Sequence, residues 1–178
     1  MGTARRILKD RRLDWRLRLL VLVALLIAYR FYQAPEAPRR IEGEGTYSVE
    51  RVIDGDTFVL EGGERVRLIG VNTPELARGR QSAEPLAEEA RQFTRRQIEN
   101  QEVLLQFDRE RRDRYGRLLA YVYREEWMLN EELIRAGYSR AETKYSYSPA
   151  MKRRFQHAEE EARQARRGLW KLRKLTTR

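Results

Sequence analysis

The chain has 178 residues, a formal net charge of +10, no cysteine and one histidine. That length holds one ordinary domain plus an appendage, and the missing cysteines exclude a disulfide framework, a thiol nucleophile and a thiolate metal site. The positive charge calls for an anionic partner, nucleic acid or an acidic membrane surface, but it is unevenly placed: residues 1–40 carry ten Lys/Arg against three Asp/Glu, residues 41–178 carry 27 against 24.

Residues 1–18 form a basic segment, followed by the apolar run Leu19–Tyr29. Eleven residues are too few to span about 30 Å of hydrocarbon. Counting from Trp15 to Tyr32 gives eighteen, with Arg16, Arg18 and Arg30 near the ends, where they could snorkel, and Trp15, Tyr29, Phe31 and Tyr32 suited to an interface. The pattern predicts a transmembrane or signal-anchor helix over 19–32, with a cleaved signal peptide and a peripheral amphipathic segment as rivals. No clear small-x-small cleavage site stands in AYRFYQAPEAP, which favours retention. Seven positive charges before the run, against Arg39 and Arg40 after it, place the N-terminus inside and the domain outside the cytoplasm. The domain would be secreted if the segment were cut. Residues 33–45, with two prolines and two glycines, read as a linker, 46–170 as the domain and 171–178 as a basic tail.

The domain opens with strand patterns. Tyr47–Ile53 alternates loosely, Asp54-Gly55-Asp56 turns, and Thr57–Leu60 resumes; Gly62-Gly63 marks a hairpin, and Arg65–Val71 follows with Val66, Leu68 and Gly70 on one face. Thr73-Pro74 ends that strand. Leu76–Ser82 is a basic loop whose Arg78 and Arg80 would draw in nucleic-acid backbone, and a helix capped near Ser82 is predicted to reach Ile98. Strands over Glu102–Phe107 and Leu118–Tyr123 flank a charged loop; Asn130 is expected to cap a short helix to Ala136, and Ser148-Pro149 to open a last one to about Arg167. His157 lies on a solvent-rich helix and is expected to be inert, while Met128 and Met151 look like packing residues. Five strands and three helices in this order predict an α+β fold, a small β-barrel decorated by helices.

The chemistry gathers in Ile53–Glu75 and at Arg117. Asp56 sits in a turn between strands and Asn72 follows the third strand; oxygen ligands of this kind suit Ca²⁺, which accepts six to eight. Arg67 interrupts an apolar strand, and its guanidinium matches phosphate geometry. Arg117 could grip the same phosphate, or could make an ordinary rim salt bridge among Asp108, Glu110 and Asp113. Gly116 suggests close backbone approach. Tyr115, Tyr145 and Tyr147 could stack on bases or form the edge of the core.

IDGDT, VRLIGVNTPE, DRYGRLLAYVY, MLNEELIRAGY, YSYSP and RGLW, in that order over Thr46–Trp170, resemble the thermonuclease (staphylococcal-nuclease-like) family. The resemblance implies a five-stranded OB-fold barrel that hydrolyses DNA and RNA with calcium and leaves 3′-phosphate ends; single strands are the expected preferred partner, and a monomer is expected. It implies Asp56, Asn72 and the Thr73 carbonyl as metal ligands, Arg67 and Arg117 as phosphate clamps, and Glu75 as general base or orienter of water. The family usually has aspartate where Asn72 stands, so one negative charge is missing here and weaker metal binding is expected, with Asp54 compensating from behind. A non-catalytic OB-fold that binds single strands is the rival function; the nearly intact set of acids, arginines and glutamate favours the enzyme.

Overall fold

The computed structural model describes residues 15–32, 41, 43–77, 79 and 81–172. The expected basic segment before residue 15, nearly all of the linker up to residue 42, Arg78, Arg80 and the tail from 173 lie outside the described residues. The chain divides into two units, Met1–Glu36 and Ala37–Arg178.

The first unit is described only in α1 (Trp15–Tyr32). Eighteen residues rising about 1.5 Å each make a rod of about 27 Å. No helix among the described residues is long and apolar enough to cross a membrane. This corrects the transmembrane helix expected at 19–32: the unbroken apolar run is short, and Arg16, Arg18 and Arg30 all fall inside the helix. Its aliphatic side chains are nevertheless uncovered, Leu20 and Leu25 each 65% exposed.

The second unit is a closed barrel. Strands β1 (Gly45–Asp54), β2 (Thr57–Leu60), β3 (Arg65–Leu68), β4 (Glu102–Arg112) and β5 (Leu118–Arg124) lie in the order β3-β2-β1-β4-β5, and β5 returns to pair with β3. All pairs are antiparallel except that last one, which sets Val66, Arg67 and Leu68 opposite Leu118, Leu119 and Ala120. Closure leaves the barrel no open edge there. The five-stranded α+β barrel expected from sequence is present, with a two-residue β6 (Trp127–Met128) added beside β5. Around it pack α2 (Ala87–Ile98), α3 (Leu129–Arg135), α4 (Pro149–Gln164) and the single turn α5 (Leu169–Leu172). Phe58, Leu60, Val66, Leu68, Leu105, Leu118, Leu133 and Phe155 are buried together in the core.

Several boundaries and caps differ from expectation. β3 stops at Leu68 because Gly70 turns left-handed at φ 74°, where an added Cβ would lie 2.6 Å from the Phe155 ring. α2 begins at Ala87, not near Ser82; the Glu84 N–H donates to the Glu75 carbonyl (2.9 Å) and keeps this stretch in a loop. Asn130 is no cap. It lies inside α3, fully buried, accepting from Val122 N–H (2.9 Å) and donating to the carbonyls of Ile69 (2.9 Å) and Ala120 (3.2 Å). α4 starts at Pro149 without a capping bond from Ser148; instead Asp108 Oδ2, from β4, accepts the Ser148 N–H (2.8 Å).

Candidate functional site

The acidic turn owes its place to Gly55. A Cβ there would stand 2.7 Å from the Thr73 side chain and 2.9 Å from Ala90, so only glycine lets the turn press against both the loop after β3 and α2. Thr94, on α2, donates its hydroxyl to the Gly55 carbonyl (2.6 Å). Asp56, buried beside it, accepts the Thr73 N–H at Oδ2 (2.8 Å) and the Thr57 hydroxyl at Oδ1 (3.1 Å). Asp54 Oδ1 accepts the Asp56 N–H at 3.3 Å.

Strand alternation sends Val66 and Leu68 into the core and Arg67 to the other side, where it meets these oxygens. Its Nη1 pairs with Asp56 Oδ2, and its Nη2 donates to Asn72 Oδ1 (2.8 Å). Asn72 is itself oriented by its N–H, which donates to Ser139 Oγ (2.9 Å). Burial and the nearby Arg117 push the Arg67 guanidinium below its ordinary pKa, against the opposing pull of Asp54, Glu75 and Tyr145. Arg67 thus stands among acids on one side and a second cation on the other. Glu75 is half-buried, its N–H donating to Glu84 Oε2 (3.0 Å).

Arg67 also lines a cleft of about 450 Å³ shared with Arg117, Arg114, Tyr115 and Tyr145. The tight loop between β4 and β5 carries three of these. Asp113 organises it: Oδ1 accepts the N–H groups of Tyr115 (2.9 Å) and Arg117 (3.0 Å), and Oδ2 accepts Arg117 Nε (2.7 Å). The rim salt bridge considered for Arg117 therefore exists, and it aims the guanidinium along the cleft wall instead of removing it. Gly116 is there for its φ of 80°, not for close approach, since no atom lies within 4 Å of where a Cβ would stand. Tyr115, 68% exposed, has Arg114 at 4.8 Å and Arg117 at 5.5 Å from its ring centroid. Tyr145 is 60% exposed with Lys144 over its ring. Tyr147 differs: it is buried, packs at 6.0 Å on Phe155 and has its hydroxyl against Gly70, so it shapes the cleft wall and offers no open face. Burial lifts its hydroxyl to a pKa of about 12.

The structure thus brings Asp56, Asn72, Thr73 and Arg67 together, and Arg67, Arg117, Tyr115 and Tyr145 along one cleft. Among the described residues, no three His, Cys, Asp or Glu form a metal cage. What the turn does offer is an oxygen-only set: the Asp56 carboxylate and the Asn72 amide oxygen converge on a single cationic group, and Asp54 and Glu75 add their field to the same point. A hard cation fits that chemistry, with less charge to hold it than an aspartate at 72 would give. Sequence reasoning took Asp113 only as a rim partner. Its signal was present in Asp113-Arg114-Tyr115-Gly116, aspartate opening and glycine closing a four-residue turn.

Residues 65–172 match the family model described as staphylococcal nuclease homologue. The chain is 35% identical over 162 residues to a thermonuclease of Staphylococcus hyicus, an alignment covering 85% of this chain and 94% of that protein. It is 37% identical over 158 residues to a thermonuclease of Staphylococcus intermedius, covering 85% and 92%. Against endonuclease YncB of Bacillus subtilis the identity is 35% over 129 residues, covering 69% of this chain and 60% of the relative.

Proposed function

Because the chain belongs to the staphylococcal nuclease homologue family and is a phosphodiester-hydrolysing nuclease, we propose that it is a calcium-dependent, sugar-nonspecific endonuclease acting as a monomer on DNA and RNA, single strands preferred. The observation that carries this reading is the convergence of Arg67 and Arg117 on one cleft, where Arg117 disfavours the charge on Arg67. An anion placed between them relieves that repulsion, and a phosphodiester is the anion that two guanidinium forks match.

In this reading Asp56, Asn72 and the carbonyl of Thr73 would hold Ca²⁺, with Asp54 supporting from behind. Bound there, the ion supplies Lewis-acid stabilisation of charge on the phosphate oxygens. Arg67 and Arg117 hold two faces of the phosphate and tighten as charge builds on the pentacoordinate transition state. Glu75 orients the attacking water and accepts its proton. Water adds to phosphorus in line, the bond to the 5′-oxygen breaks, and that oxygen leaves with a proton from solvent, giving a 3′-phosphate end. Tyr115 and Tyr145 offer ring faces to flanking bases, a contact that every base can make.

We propose further that the chain works at a membrane, held by α1, with the nuclease domain outside the cytoplasm. Support comes from the uncovered leucines of α1 and from the charge of the first forty residues, which suits anionic headgroups. Flotation of the full chain with anionic lipid vesicles checks the attachment, and a chain left at the bottom of the gradient rules it out.

The deciding experiment is incubation of the purified chain with single-stranded DNA in millimolar calcium or in chelator. Cutting that needs calcium is expected. Cutting that survives chelation sinks the calcium dependence, and tight binding without cutting would make this a binding module.

A further inference from the structure

The loop that carries Tyr115 and Arg117 is anchored from outside itself. Arg112, the last residue of β4, reaches across to Glu64, the residue just before β3, in a two-pronged pair: Nη1 to Oε2 at 2.9 Å and Nη2 to Oε1 at 2.8 Å. The same Nη1 donates to the carbonyl of Gly116 (2.8 Å), so one guanidinium holds Glu64 and the loop backbone immediately before Arg117. Glu64 is buried, 8% exposed, which makes the pair tighter than a rim contact. Its place in the barrel matters most. Val66 is paired with Leu118 and Arg67 with Leu119 where β3 meets β5, so the Glu64–Arg112 pair sits at the entrance of the two strands that present Arg67 and Arg117.

We propose that Glu64 and Arg112 are positioning residues that fix the distance and angle between the two phosphate-gripping arginines, and thereby set the catalytic rate without touching substrate. The proposal rests on Arg67 and Arg117 being those grips. Two clamps that must meet one phosphate lose transition-state contact faster than ground-state contact when either shifts, because charge on the oxygens peaks in the transition state. A displacement on the order of 1 Å costs up to roughly a hundredfold.

The test compares Glu64→Gln, Arg112→Gln and Arg112→Lys with Arg135→Gln, which breaks an ionic staple between α3 and α4 far from this loop in sequence. Each full-length variant is assayed for kcat and KM on a short single-stranded oligonucleotide, and its melting temperature is measured. Glu64→Gln and Arg112→Gln should each lower kcat at least about tenfold with KM within about twofold. Arg112→Lys, which keeps the charge but loses the fork, should recover only part of that loss. The double variant Glu64→Gln/Arg112→Gln should be no worse than the poorer single. Arg135→Gln should lose melting temperature and keep kcat. If Arg112→Gln does not fold, Glu64→Gln and Arg112→Lys carry the comparison.

A kcat within about twofold of wild type in the pair variants overturns the proposal, as does a loss that Arg135→Gln reproduces at equal melting temperature. Should Arg67→Ala and Arg117→Ala themselves remain active, the underlying reading of the cleft falls and takes this proposal with it. Should those two fail while the pair variants work, only the positioning role falls.

Discussion

The α3–α4 face and the cleft use arginine in opposite ways. On α3, Arg135 meets Glu131 (2.7 Å), Glu132 and, across on α4, Glu161 (2.9 Å), while Arg154 meets the other oxygen of Glu131 (2.6 Å). Hydrogen bonds and charge from these acids, outweighing burial, raise the pKa of Arg135, and Glu131 raises that of Arg154. In the cleft the sign reverses: Arg67 is lowered, by burial and by Arg117. Where a guanidinium is raised, its partners come from the protein and the result is a staple. Where it is lowered, burial and a second cation outweigh the acids that touch it, Asp56 among them, and an added anion would be welcome.

Five substitutions, the last read by an acid titration, press on that contrast. Arg67→Ala should be the most damaging, cutting kcat/KM by about a thousandfold, and it lowers the melting temperature too because buried Asp56 loses its cation; a variant that loses stability but stays active would make Arg67 one more staple. Arg117→Ala should cost about a hundredfold in the same assay, since Asp113 and the loop backbone survive it. On the other face, Arg135→Gln unties α3 from Glu161 on α4 and leaves Glu131 to Arg154 alone, and should cost about 1–2 kcal/mol in denaturant unfolding with kcat unchanged. Asn72→Asp should tighten calcium binding roughly tenfold by calorimetry, because a charged oxygen replaces an amide; an unchanged affinity removes Asn72 from the ligand set.

The smallest effect expected is acid loss of stability through Asp108. Burial pushes its carboxyl up, but hydrogen bonds from Tyr121 Oη (2.6 Å), Arg109 N–H (2.8 Å) and Ser148 N–H (2.8 Å) hold it below the ordinary value. A carboxylate depressed on folding stabilises above its unfolded pKa, about 3.9, and that contribution vanishes as pH falls through the folded value. Asp108→Asn should remove about 1 kcal/mol at neutral pH and flatten the acid limb of the stability curve below about pH 4.

What could be read in advance was local. The Asp54-Gly55-Asp56 turn, the alternation that turns Arg67 away from Val66 and Leu68, and the glycine hairpin are set by residues a few positions apart, and the five strands followed from such patterns. The rest depends on partners distant in sequence. Asn130 resembles a helix cap until Ile69 and Ala120 arrive to occupy its amide. Tyr147 resembles a stacking platform until Phe155 covers it. The start of α2 shifted because Glu75 and Glu84 exchange backbone and side-chain bonds across a loop. Glu64 and Arg112, 48 positions apart, leave no local trace at all.

The parallel seam between β3 and β5 has a kinetic meaning. It joins segments about fifty residues apart, the kind of contact that costs most loop entropy and tends to form late. β3 and the loop leading into β5 each bring one arginine to the cleft, so an unclosed chain owns two isolated cations. Such a chain is expected not to cut nucleic acid until the barrel closes, so its activity would report closure directly. On refolding from denaturant, cutting should return with the slowest phase that restores core burial; activity that reappears earlier would show that the seam is not what assembles the site.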